Sequence, residues 1–563
     1  MKRLLLLLGI SLSFICTYAY DGVVLEKSIL LMKSGDADTI RILEGSATAW
    51  ACDNEEIATV SDGIVKAIAN GTATITITSA DGTKTACTIN VSEQGANARA
   101  NMPGMGGMPQ MGQGGGQMPQ MGQGGGQRPD GMQGGRGQRP DMGQGGQGGG
   151  QRPPQMGQGG QGGNRPGGGP GNRQGGGPGG PGGDGNDDSD ATDPKAYINT
   201  EGDVTFEGQT FTSSTADANA VKVSGGTVTL TNCNLIKDDG ASSNADGSSF
   251  YGTNSGLLAR KGGKAVMNGG TITTNAEGAN GIVAYGGSVE VNDVVINCSE
   301  RLSRGVHVTG GGSLTAHNLT INTKGPNSSV IALDRGGGTL NVIGGTYNCE
   351  GRDCAVCYST GELTVNGITG SSMLGEMGVI EGDNIIAINN SELTSHADKS
   401  SRGLMILQSG SGDAGEGLNG IITVAGGSLT MTDPETTLIE IVTNVTGKVT
   451  LDGVKVDVPS GILMTVDYNR RWQTKGATGV LILSGEGTTY DGSIVADKYS
   501  KAEVTVNKGV EWRGAFDNAK TAKSTTLTVN GGTWTLTADS YVDNVNVING
   551  GKIDTNGYKL NGK

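Results

Sequence analysis

Aromatic side chains make up only 4% of this 563-residue chain and hydrophobic residues of every kind only 34%, too little apolar material for one large globular core. Histidine is scarcer still: His307, His317 and His396 are the whole set, which speaks against a zinc site. Basic residues are outnumbered, and the formal net charge of -14 argues against a nucleic-acid partner. Long apolar runs are missing after the first one, so no integral membrane segment is expected beyond it. That first run, Leu4 to Ile15, lies between Met1-Lys2-Arg3 and Thr17-Tyr18-Ala19. This is the three-part pattern of a secretory signal peptide over residues 1–19, and it implies an extracellular or cell-surface protein. Export leaves seven cysteines, at 52, 87, 233, 298, 349, 354 and 357, in an oxidising compartment. They are too few for a disulfide scaffold, and their odd number leaves at least one without an intrachain partner.

What the chain does have is glycine, at 103 positions, and its distribution divides the sequence. Residues 20–93 alternate apolar and polar positions between Gly and Asp turn signals, as in Ala73-Thr74-Ile75-Thr76-Ile77-Thr78, which reads as a small all-β sandwich. Cys52 shares a strand face with Trp50, and Cys87 shares one with Ile89 and Val91. Both thiols are therefore expected to point into the sandwich and to bond. Residues 94–193 collapse to Gly, Gln, Met, Pro and Arg, a composition that cannot offset its ordering entropy by burial and reads as a disordered Gly-rich linker. The acidic run Asp184 to Asp190 starts like a calcium loop. It lacks the glycine at the sixth position and carries Lys195 where the bidentate glutamate belongs, so it reads as a solvated spacer.

From residue 194 to 563 a Gly-Gly turn recurs before an alternating strand, at Gly262-Gly263, Gly286-Gly287, Gly311-Gly312 and Gly337-Gly338, with a degenerate Gly361. The intervals of 24, 25, 26 and 24 residues mark stacked supersecondary units, and their β content selects a solenoid. The fold expected is a right-handed parallel β-helix of roughly fourteen coils, rising about 4.8 Å per coil. One strand in each coil is apolar at both parities, as in Ile282-Val283-Ala284-Tyr285 and Leu404-Met405-Ile406-Leu407. Such a strand is covered on both faces, by the insertion Asp238 to Gly256, by a later loop or by a partner, and cover by the protein itself is the favoured expectation.

Two resemblances add to this reading. The run Trp50-Ala51-Cys52-Asp53-Asn54, then Ile57 to Ile68, then Gly71-Thr72-Ala73 and Ile75, resembles the bacterial immunoglobulin-like domain of group 2. That resemblance implies a spacer or adhesion module without enzyme chemistry. Phrases such as Ser248-Ser249-Phe250-Tyr251-Gly252, Leu333-Asp334-Arg335-Gly336-Gly337-Gly338 and Val379-Ile380-Glu381-Gly382-Asp383-Asn384 resemble secreted bacterial adhesin-like proteins with parallel β-helix repeats and a pectate-lyase-like fold. This second resemblance implies the fold strongly and function weakly.

Enzymes built on a β-helix use clustered Asp acids, or calcium held by carboxylates beside a basic Arg or Lys. No such constellation is assembled here, although Asp334 and Arg335 at a strand end could serve as a lyase pair, with calcium on the carboxylate and the arginine as base. No other cofactor and no metal site is expected. The leading expectation is an exported adhesin-like protein that binds a polysaccharide or another host or cell-surface ligand through the β-helix. The alternative is a lyase or hydrolase acting on acidic glycans, and the sequence leans away from enzyme activity.

Overall fold

The computed structural model describes residues 23–25, 29–80, 82–91, 191–398, 402–408, 419–468 and 476–562. The expected signal peptide and residues 94–190 of the expected linker lie outside them. The described residues are almost entirely strand and turn, with one six-residue helix.

Residues 23–91 form a β-sandwich of nine strands: β1 (Val24–Leu25), β2 (Ile29–Met32), β3 (Ala37–Thr39), β4 (Ile42–Glu44), β5 (Ala47–Cys52), β6 (Ala58–Ser61), β7 (Ile64–Ala67), β8 (Gly71–Ser79) and β9 (Lys84–Val91). The larger sheet has the order β2-β9-β8-β5, and the facing sheet β3-β7-β6. Alternation aims Ile75, Ile77, Cys87, Ile89 and Val65 into a fully buried core.

The expected bond between Cys52 and Cys87 is not formed. Both side chains turn toward the sandwich core, but their strands are not neighbours. Cys52 is opposite Ile75, and Ile75 is opposite Cys87, so β8 runs between the two cysteines. Two strand spacings of about 4.8 Å exceed the reach of a disulfide. Cys52 instead donates its S–H to the carbonyl of Ala58 at 3.0 Å.

From Tyr197 to Asn561 the chain winds into a parallel β-solenoid. One face is a 12-stranded sheet running from Tyr197–Asn199 to Ser493–Ala496, and a 20-stranded sheet bends around the other sides, joined over the last coils by a four-stranded sheet from Thr489–Asp491 to Lys552–Asp554. Successive coils stay in register, for example Ile282 on Val306, Val306 on Ile331 and Ile331 on Cys357. The inward positions of every coil fuse into one apolar core from Phe211 to Val542. Corners are turned by residues with positive φ, as at Asn318 (53°) and Gly345 (94°). Asparagine side chains stack up the outside, Asn322 donating to Asn297 at 3.1 Å and Asn348 to Asn322 at 3.2 Å. Tyr197, Phe206 and Phe211 close the first coil as a cluster of rings, with centroids 4.7 to 5.8 Å apart.

The insertion, one of the covers considered for the doubly apolar strands, serves as such over the early coils. Asn244 caps helix α1 (Ala245–Phe250) by accepting from the Asp246 N–H, and the helix buries Ser248, Ser249 and Phe250. The chain beyond it presses so close that a Cβ on Gly252 would lie 2.7 Å from the side chains of Leu258 and Val283. Over later coils the same outer face carries a separate small cluster of Ala355, Val379, Leu407 and Val442, with Tyr358 and Met405 packed against it.

Candidate functional site

Asp334 and Arg335 follow the strand Ile331–Leu333, as the sequence places them, but the structure commits both to protein contacts. Asp334 is 4% exposed and pairs with Arg304 at 3.1 Å, one coil away. Its other oxygen accepts from the Arg335 N–H at 2.9 Å. The Arg335 guanidinium lies 3.8 Å from the centre of the Phe250 ring on the covering insertion. The pair therefore fastens the cover to the coil stack.

A second polar group on the same 12-stranded sheet is built differently. Glu440 is the one charged residue in the strand Ile439–Val442, whose Ile439 and Ile441 point into the core. Period-two geometry forces Glu440 outward. On the next coil Thr465 lies in register with Glu440 and Asp467 with Val442, so the two acids are diagonal neighbours on one face. One coil further, Ala496 is in register with Val466, and the following residue is Asp497. Asp467 and Asp497 thus occupy equivalent places about 4.8 Å apart. Arg402 reaches in from the preceding coil, its Nε 3.0 Å from Glu440 Oε1.

Crowding perturbs Glu440 and Asp467. Burial pushes Glu440 up against the opposing pull of Arg402. Asp467 is raised to about 7, first by burial and then by the like charges of Glu440 and Asp497. A carboxyl so placed is partly protonated at neutral pH and can both accept and donate a hydrogen bond.

Two tyrosines flank the acids. Asp497 accepts from the Tyr468 N–H at 3.3 Å and from the Tyr499 N–H at 3.0 Å, so one carboxylate fixes both backbone positions. The rings meet edge to face with centroids 4.7 Å apart, and Tyr499 stays 41% exposed. Lys498 sits 5.1 Å from the centre of the Tyr499 ring. An exposed ring beside coil-stacked carboxyls offers a stacking face and hydrogen-bonding groups to a polyhydroxylated ligand. Sequence reasoning missed this group. Its signal was a lone Glu at outward parity in an otherwise apolar strand.

No disulfide is formed among the seven cysteines of the described residues, and Cys298 and Cys349 lie in register two coils apart, with Thr323 between them. Among the described residues no group of three or more His, Cys, Asp or Glu side chains is placed to hold a metal ion. None of their helices is long and apolar enough to cross a membrane.

Residues 40–89 match the family described as bacterial Ig-like domain (group 2). That segment covers most of the β-sandwich, and domains of this family are typical of bacterial surface proteins. No curated protein and no solved structure matches the chain significantly. The chain combines an Ig-like sandwich with a parallel β-solenoid, and this combination fits a surface-associated protein.

Proposed function

We propose that the protein is an exported, adhesin-like surface protein whose solenoid binds a polysaccharide on the outer face of the 12-stranded sheet. The observation that carries this reading is the edge-to-face pair of Tyr468 and Tyr499, held by Asp497 beside Asp467. Sugar rings offer apolar C–H faces to the face of an aromatic ring and hydroxyls to carboxyl groups, and repeated coils allow a polymer to be followed along the stack. A glycan-array screen tests it. Replacement Tyr499→Ala should weaken any polysaccharide hit at least tenfold and leave the melting temperature nearly unchanged. Undiminished binding by the variant would overturn the assignment.

A second reading draws on the raised carboxyl of Asp467, which suits a general acid acting on a glycosidic oxygen. Release of reducing ends or unsaturated sugars from uronic acid polymers, with loss of product in Asp467→Asn, would establish a hydrolase or lyase in place of a binding protein.

A further inference from the structure

We infer that the Ig-like domain is a fixed side cover of the solenoid, docked through β8 and β9 on one strip of the 20-stranded sheet, and does not act as a free spacer.

The strip is written into the outward positions of the coils. One outward column reads Glu290, Thr315, Asn341, Thr364, Ala387, Thr423, Thr450, Ile482 and Thr505 in register. The adjacent column passes from Ser313, Thr339 and Glu362 to Ile385, Ile421, Lys448 and Val480, then returns to Glu503. Over the same middle coils both columns turn small or apolar, apart from Lys448, and they are polar on either side. An outward sheet face that changes character in this way is made to be covered. Ala387, Thr423 and Thr450 are accordingly 1% exposed or less.

The sandwich supplies the matching surface. On β9 the core-facing Cys87, Ile89 and Val91 are buried, but so are the outward Ala86 at 1% and Thr88 at 0%. Thr74 on β8 is 3% exposed. Thr88 and Thr423 share a hydrogen bond of 2.9 Å between their hydroxyls, and Asn390 donates to the carbonyl of Lys84 at 2.7 Å. The Lys448 ammonium donates to the Thr72 hydroxyl and, at 3.5 Å, to Asn90 Oδ1. Sandwich and solenoid accordingly fall within one compact unit. The occupant of the strip is the chain's own Ig-like domain.

Cysteine trapping in the full chain tests the docking. Thr88→Cys with Thr423→Cys should form an intrachain disulfide under mild oxidation in dilute solution. Trypsin, cutting at Arg128 to Arg173, should then leave the two halves joined until a reductant is added. The pair Thr88→Cys with Thr315→Cys, four coils away on the same column, should not crosslink. A Thr423→Arg variant with unchanged far-ultraviolet circular dichroism should show a larger hydrodynamic radius. Failure of the first pair to bond, bonding only between chains, equal bonding of the distant pair, or an unchanged radius in Thr423→Arg would each overturn the inference. None of these outcomes bears on Tyr499, so docking and glycan binding can fail separately.

Discussion

Trp512 and Trp534 lie in register on adjacent coils and stack 8° from parallel, with ring centroids 5.1 Å apart. Both are fully buried, and each indole N–H reaches a backbone carbonyl, Gly492 at 2.8 Å and Gly514 at 3.0 Å. They replace the aliphatic stacking of earlier coils with two large plates that fill the late core. Trp534→Ala should cost about 3–5 kcal/mol in the cavity it leaves. Trp534→Phe should cost less, about 1–3 kcal/mol, chiefly through the stranded carbonyl of Gly514. Denaturant titration followed by tryptophan fluorescence separates the two.

The Arg304–Asp334 pair is nearly desolvated, with side-chain exposures of 11% and 6%. Removing one partner leaves an uncompensated charge, so Asp334→Ala should lower stability by about 3 kcal/mol. The double replacement Arg304→Met with Asp334→Leu should recover most of that loss. Thermal melts of the three variants check this, and an Asp334→Ala protein as stable as the parent would contradict it.

His307 is fully buried on the outer face. Burial, reinforced by the charge of Arg304, holds its pKa well below the ordinary value. The folded protein therefore keeps the ring neutral while an unfolded chain protonates it near pH 6.5. Its stabilising contribution is present above that pH and is lost as pH falls through it, by up to about 1.4 kcal/mol per pH unit. His307→Leu should remove this component. Comparing melting temperatures at pH 7.5 and 5.5 should show a smaller acid loss in the variant than in the parent.

Corner glycines differ in what they tolerate. A Cβ on Gly270 would fall 2.0 Å from the carbonyl oxygen of Cys233 on the preceding coil, whereas one on Gly311 meets nothing within 4 Å. Both have positive φ, 95° and 76°. Gly311→Ala should cost only the left-handed penalty of about 1–2 kcal/mol. Gly270→Ala adds a backbone clash between coils and should cost clearly more in parallel denaturation curves. Equal losses would show that the coils part freely at that corner.

The coil stack was legible because its signal is repetitive: Gly-Gly pairs set the period, and alternation set which residues face in. Non-local pairing was not legible. Cys52 and Cys87 have the parity expected of them, but nothing local says that β8 runs between them. Asp334 and Arg335 stood out because they end a strand in a phrase shared with a known group, yet their partners Arg304 and Phe250 lie 30 and 85 residues away in sequence. Glu440, Asp467 and Asp497 meet only through coil stacking, and insertions between coils hide that spacing. The cover by the insertion around α1 was readable because a strand apolar at both parities requires one.

The parallel register has a mechanical consequence. Tension entering the solenoid from its N-terminal side is taken up first by the bonds between Tyr197–Asn199 and Val221–Val223, the outermost pairing of the 12-stranded sheet. Pulled along the stacking axis, such a coil peels away a few hydrogen bonds at a time, and rupture force stays low and nearly constant from coil to coil. Pulled across the axis, many stacked strands share the load in shear. A molecule built this way resists drag along its flank far better than extraction from its end.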